Sequence, residues 1–367
     1  MEFSELLVNI QESRRHQYTW ACVCLLAFLL ISVPSSAEEL FVRSKPAMGS
    51  VFTIYLYARD EAQASAAFEA AFDEVERLEE ALSNYRDSSE LSRINRLAGT
   101  QPVTTDPEVF GLLQTSLDYS KKTGGAFDIT VGPLMKAWGF FRASGHYPSQ
   151  AELENARAKI GWQNVQLDPP NRTVHFAKPG MELDLGAIGK GYTVDQMVNV
   201  LREAGIQSAL VDAGSSTLYA LGAPPDKNGW VVRVPRPAHR DQIVSTVLLR
   251  DASLSTSGSY EKFFRLNGRV YCHILNPHTG SPVEGMLQTS VIARDGTTTD
   301  ALSTSMFVMG PQAGKALLST SPGTAGLWIT GQAASPQLLP WNWPECRECN
   351  GGPRAPKDVL SRTENRR

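Results

Sequence analysis

Asp300 and Thr304 stand four residues apart in the run Asp300-Ala301-Leu302-Ser303-Thr304. On a helix that spacing puts both side chains on one face. A carboxylate and a hydroxyl placed there offer hard oxygen donors to an ion such as magnesium. The same residues also suit a plainer role, with Asp300 stabilising a helix N-terminus and Thr304 packing. A second run, Leu183-Asp184-Leu185-Gly186-Ala187-Ile188-Gly189-Lys190-Gly191-Tyr192, has three glycines in six residues just ahead of a predicted helix. Glycine lets backbone approach a ligand closely. N–H groups at a helix start suit a phosphate, to which Lys190 can add a point charge. The run is neither a Walker A loop nor a G-x-G-x-x-G fingerprint, and a tight strand-to-helix turn has the same composition. In His273-Ile274-Leu275-Asn276-Pro277-His278-Thr279-Gly280, the histidine at a strand end is either a proton acceptor or a hydrogen-bonded part of the turn that follows. In Gly125-Ala126-Phe127-Asp128, followed by Pro133 and Trp138, a ring beside a carboxylate could grip a heterocycle or fill the core.

These residues need a scaffold, and the hydrophobic pattern supplies one. Val51, Thr53, Tyr55 and Tyr57 alternate with Phe52, Ile54 and Leu56, which predicts a strand over 50–57. Ala64, Phe68, Ala71, Phe72, Val75, Leu78 and Leu82 follow at helical spacing. Asp106-Pro107 reads as an N-cap with proline in the first turn, opening a helix that carries Val109, Phe110, Leu113 and Leu117 and ends near Gly124-Gly125. A third helix is predicted over 193–204, closed by Gly205, and a fourth from Thr298 or Thr299 to Gly310. Strands are predicted at 209–212, 230–234, 244–249, 270–274 and 289–293. Without a regular βαβ beat, this mixture argues for an α+β fold. The text past 331 is rich in Pro, Trp, Cys and Gly over 332–354 and lacks periodicity, so 332–367 is expected to be a poorly ordered extension of a domain spanning 38–331.

The 367 residues carry a formal net charge of −3 and no basic stripe, which excludes a nucleic-acid footprint. Residues 1–37 read as a signal peptide: Arg14 and Arg15 precede an apolar run of 14 residues from Trp20 to Val33, and Ser35 and Ala37 fit a cleavage site before Glu38. The run is short for a span, which needs roughly 20 residues. An uncleaved N-terminus attached to the membrane is the alternative. Cys346 and Cys349 are candidates for a local disulfide.

Taken in order, eight islands of this chain resemble the ApbE family of FAD:protein FMN transferases. They are Met48-Gly49-Ser50; Leu82-Ser83-Asn84-Tyr85 with Ser89-Glu90-Leu91-Ser92; Gly125 to Asp128; Asp184 to Gly191; Asp212-Ala213-Gly214-Ser215; Ser255-Thr256-Ser257-Gly258-Ser259-Tyr260; the His273 run; and Asp300 to Thr304. The resemblance implies an α+β flavin-transferase fold, one domain of two intertwined sub-parts with FAD in the cleft between them. It implies that Met48, Tyr85, Ala126, Phe127, Asp128, Asp184, Lys190 and Ile274 line the FAD site. Thr256 and Ser257 would orient the substrate. The Ala187 carbonyl, Asp300 and Thr304, with Ser303 nearby, would hold Mg2+, and His273 would be the base. It further implies FAD as substrate, AMP as leaving group and a Thr or Ser hydroxyl on a partner as acceptor. The expected partner is a respiratory electron-transfer flavoprotein facing the periplasm. Asn276 departs from the family's usual aspartate in His-x-x-Asp-Pro-x-Thr-Gly; it keeps the shape and the acceptor but loses the charge. A periplasmic FAD-binding protein and an FAD pyrophosphatase acting without a protein acceptor are the alternative readings.

Overall fold

The structure, a computed structural model, describes residues 38–141, 144–237, 239–346 and 349. The predicted signal peptide and the last part of the tail lie outside them. An eight-stranded sheet is built from β1 (Glu39–Ala47), β2 (Ser50–Ala58), β3 (Ala209–Ala213), β4 (Thr217–Leu221), β5 (Ala252–Gly258), β6 (Met286–Ala293), β7 (Ala325–Gln332) and β8 (Ser335–Trp341). Its strands lie side by side in chain order, and from β2 to β8 each neighbouring pair is antiparallel.

The helices arise in the insertions between strands. Between β2 and β3 come α1 (Glu61–Leu82), α2 (Glu90–Leu97), α3 (Pro107–Lys122), α4 (Gly132–Ala137), α5 (Gln150–Ala158) and α6 (Gly189–Glu203), with a small sheet of Val103–Thr104, Thr173–Phe176 and Val165–Asp168. Between β6 and β7 comes α7 (Gly296–Ser319). Gly310, at φ 75 and ψ 176, breaks α7, so its first segment ends where glycine predicted and a second opens at Pro311. Asp106 caps α3 by accepting from the Glu108 N–H, as expected. A Ser149-x-x-Glu152 capping box, a start signal carried by neighbouring residues, opens α5.

The period-two pattern of β2 divides the molecule. Phe52, Ile54 and Leu56 are fully buried against the α1 and α6 residues Phe68, Ala71, Val75, Val194 and Met197. Tyr55 and Tyr57 pack on the other face with the hairpin Trp230–Arg236 and His239–Leu249, where Tyr57 and Trp230 lie 5.9 Å apart. Truncating Phe52 to alanine would cost about 3–5 kcal/mol through lost burial and the cavity left behind.

The expected boundary at residue 331 is corrected. Residues 335–341 form β8, which pairs in register with 326–332. Beyond it, Trp343 Nε1 donates to Ser245 Oγ at 2.9 Å and the Cys346 N–H to the Thr246 carbonyl at 2.8 Å. Cys346 and Cys349 form the disulfide. Pro336 and Pro340 masked this strand in the sequence; an edge strand tolerates proline because one side of its ladder is free.

Candidate active site

Two helix N-termini meet at one point. The turn Leu185 to Ile188 closes through bonds from the Ile188 and Gly189 N–H groups to the Leu185 carbonyl, and α6 begins there. The Gly191 N–H, in its first turn, donates to Asp300 Oδ2 of α7 at 2.9 Å. A Cβ on Gly191 would lie 2.1 Å from the Gly296 carbonyl oxygen and 2.6 Å from the Asp300 Cβ, so only glycine permits this approach. Asp195 locks the crossing from α6. Its carboxylate accepts from the Gly296 N–H at 2.6 Å, from the Thr297 N–H at 2.8 Å and from the Thr297 hydroxyl at 2.6 Å. This remote cap, invisible in the local sequence of α7, joins Asp295, which accepts from the Thr298 N–H at 2.7 Å.

α7 is then seated on the sheet by hydroxyls rather than hydrocarbon. Ser253, Ser255 and Ser257 alternate along β5 to the face that α7 covers. Thr299 Oγ1 lies 2.9 Å from Ser253 Oγ and 2.7 Å from Ser255 Oγ. Ser257 Oγ lies 2.9 Å from Ser303 Oγ and 3.2 Å from Thr304 Oγ1. Thr289 Oγ1 donates to the Ser303 carbonyl at 2.7 Å. Directional bonds between small buried groups fix the helix register more tightly than apolar packing would, and every hydroxyl named has a partner. Ser303 is fully buried and spends its hydroxyl on Ser257 and the Asp300 carbonyl, so it positions the site. Thr256 points to the other face, 2.8 Å from Ser290 Oγ.

Burial raises the Asp300 carboxyl to about 6, opposed by the Lys190 charge and the Gly191 N–H. Lys190 makes no hydrogen bond or ion pair among the described residues. The described residues also contain no cluster of three or more His, Cys, Asp or Glu that could hold a metal. What they offer is one buried carboxylate, the Thr304 hydroxyl and the carbonyl of Ala187 in the turn before α6. That sparse all-oxygen set fits magnesium, which keeps waters and borrows substrate phosphate oxygens.

His273 sits between the strand Arg269–Cys272 and the bridge Leu275–Asn276, not inside one strand over 270–274 as predicted. Its N–H donates to the Lys262 carbonyl at 3.0 Å, and its Nδ1 lies 3.1 Å from that same oxygen. A carbonyl only accepts, so the contact puts the ring proton on Nδ1 and leaves the Nε2 lone pair free. Burial, then the charges of Lys262 and Lys190, pull the imidazole down to about 4, so it is neutral at pH 7. Asn276 faces away from this task. Its Oδ1 accepts from the His278 N–H at 2.9 Å and its carbonyl from the Gly280 N–H at 2.8 Å, which makes it a turn former.

The remaining predicted residues divide into rim and support. Met48 has φ 51, its N–H donates to Glu79 Oε1 at 2.9 Å, and its sulfur accepts from Thr193 Oγ1 at 3.5 Å. Tyr85 is 57% exposed and stacks on Phe141, centroids 4.6 Å apart, a partner the sequence did not reveal. Asp184 accepts from Asn84 Nδ2 at 2.9 Å and from the Gly186 N–H at 2.8 Å. Asp128 accepts from Thr130 and from the Trp162 N–H, which ties the Gly125 turn to Trp162. Ala126 is buried in that turn. Of the two readings the sequence left open for the Phe127 ring, the core is the one found: the ring is 1% exposed, among the residues around α2 and α3. Ile274 likewise buries its side chain.

A family model described as the ApbE family matches residues 48–328. The chain belongs to the ApbE family. A relative from Treponema pallidum, named FAD:protein FMN transferase, is 35% identical over 79% of this chain and 84% of its own length. One from Klebsiella pneumoniae bears the same name at 32% identity, over 83% and 95%. The crystal structure of an ApbE protein from Thermotoga maritima aligns with TM-score 0.76 at 29% identity, covering 83% of this chain and 97% of that one. The apo flavinyl transferase ApbE of Pseudomonas stutzeri aligns with TM-score 0.74 at 29% identity, over 83% and 95%. The ApbE resemblance and the α+β fold read from the sequence both hold.

Proposed function

We propose that this ApbE-family chain transfers the FMN moiety of FAD to a Thr or Ser hydroxyl of an acceptor flavoprotein, with Mg2+, and releases AMP. The observation that carries the reading is the meeting of buried Asp300 with the start of α6, where the Lys190 side chain makes no hydrogen bond or ion pair among the described residues. Such a site is matched to a diphosphate and its metal. Bound there, Mg2+ would neutralise pyrophosphate charge and so favour departure of AMP. Asp300, Thr304 and the Ala187 carbonyl would hold it, and Lys190 would contact the phosphates. Trp162 Nε1, a buried donor without a partner beside Gly125, is the kind of group that a bound flavin or adenine acceptor atom satisfies.

The acceptor oxygen attacks the phosphorus on the riboflavin side, and the bond from that phosphorus to the bridging oxygen breaks. AMP leaves with the electron pair, and the hydroxyl proton passes to His273 Nε2. The low basicity of His273 in the free protein rises as phosphate charge arrives beside it. The N-terminal segment would export the chain to the periplasm, or leave it attached to the inner membrane if uncleaved, and the acceptor would be a respiratory electron-transfer subunit facing that compartment.

The test incubates the chain lacking its first 37 residues with FAD, Mg2+ and a periplasmic flavoprotein domain. Flavin fluorescence on the acceptor in a denaturing gel, with a mass gain of one FMN less water, is the expected result. FMN and AMP without adduct would assign a pyrophosphatase, and bound FAD with neither product would assign an inert binder.

A further inference from the structure

Among the described residues, the strands Phe263–Leu266 and Arg269–Cys272 pair only with each other and stand outside the main sheet. One face of this hairpin is anchored: Phe264 and Tyr271 stack at 5.1 Å, and Tyr271 lies 5.7 Å from Trp138. The other face and the tip are open, with Phe263 43%, Leu266 41% and Val270 44% exposed. Arg265 lies over the Phe263 ring at 5.5 Å. The base of the hairpin is the segment whose Lys262 carbonyl holds both the N–H and Nδ1 of His273. Between 262 and 272 the chain carries Lys262, Arg265 and Arg269 and no acid, although the whole protein has a net charge of −3.

We propose that this hairpin is the docking surface for the acceptor protein, and that it receives an extended segment bearing carboxylates beside the hydroxyl to be modified. The inference rests on the transferase reading, because only a protein acceptor needs such a surface. A hydroxyl giving its proton to His273 must come within about 3 Å of Nε2. Because the hairpin base holds His273 through the Lys262 carbonyl, the residues flanking that hydroxyl come within reach of the hairpin. Its three cations select an acidic segment and steer its approach. Exposed Phe263 and Val270 supply the apolar contact, and strand edges unpaired among the described residues can accept an added strand.

The experiment measures fluorescence anisotropy of labelled peptides of about 15 residues on the FAD-loaded full chain, each peptide with a central threonine flanked by aspartates or by lysines. The aspartate peptide is expected to bind at least about tenfold tighter than the lysine peptide, with the preference reversed in the R265E/R269E variant. Phe263→Ser is expected to weaken both peptides. Equal binding of the two peptides, or a preference unchanged in R265E/R269E, overturns the surface. FAD binding is read in the same samples from flavin fluorescence. Wild-type protein that takes up no FAD overturns the transferase reading and the surface with it, whereas FAD uptake without charge preference overturns the surface alone.

Discussion

Asp300→Asn separates the stability of this site from its use. Asp300 is 5% exposed and accepts from the Gly191 N–H, a bond that an asparagine oxygen can also accept, and from the Thr217 hydroxyl. Burial raises its carboxyl from 3.8 to about 6. A folded value above the unfolded one means that ionisation opposes folding. The cost is absent below pH 3.8, grows through the interval and is complete above about 6. About two pKa units correspond to about 3 kcal/mol. In metal-free protein at about pH 8, D300N is therefore expected to be more stable than wild type by up to about 3 kcal/mol, the order of 6 °C in Tm for a domain of this size. At about pH 4 the two should nearly coincide. Added Mg2+ should raise the wild-type Tm by mass action and leave D300N unmoved, and D300N should transfer no FMN. The assay is thermal unfolding in chelator and in Mg2+ at both pH values. A metal-free D300N less stable than wild type at about pH 8 would refute the burial argument, and a D300N that Mg2+ still stabilises would remove Asp300 from the metal site.

Four further outcomes follow from the same geometry. His273→Ala should lower transfer by about 10²–10⁴ with FAD affinity nearly unchanged, measured by single-turnover flavinylation. The His273 value is depressed to about 4 from 6.5, so in FAD-free protein an NMR titration should find this imidazole neutral from about pH 8 down to about pH 5. Gly191→Ala puts a Cβ 2.1 Å from the backbone oxygen of Gly296, which forces α6 and α7 apart; about 1–3 kcal/mol of stability should be lost in denaturant unfolding, together with Mg2+ affinity. Asn276→Asp should leave initial rates within about twofold of wild type, because either side chain accepts from the His278 N–H; a tenfold rise would show that the charge matters.

The elements that build the scaffold were legible where one face of a regular segment is apolar: β2, α1 and α3 lie close to their predicted positions because period two, period 3.6 and a local cap are properties of neighbouring residues. The chemistry was legible as residue types, but its assembly was not. Asp195 reaches across about a hundred residues to cap α7, and nothing near Thr298 announces it. β5 escaped because Ser253, Ser255 and Ser257 face the helix as hydroxyls; a polar inner face and a polar outer face have the same hydropathy. Phe127 went the other way, since a ring beside a carboxylate reads alike whether it faces ligand or core. The feature that joins these cases is close approach. Glycines at 191 and 296 bring two helix starts together, and hydroxyls on β5 let α7 lie near the sheet, so Asp300 is buried and its carboxyl raised to about 6. A buried carboxylate favours a cation, and the Lys190 charge beside it, in no ion pair among the described residues, favours an anion. A metal–diphosphate complex, as in the proposed function, would answer both charges at once.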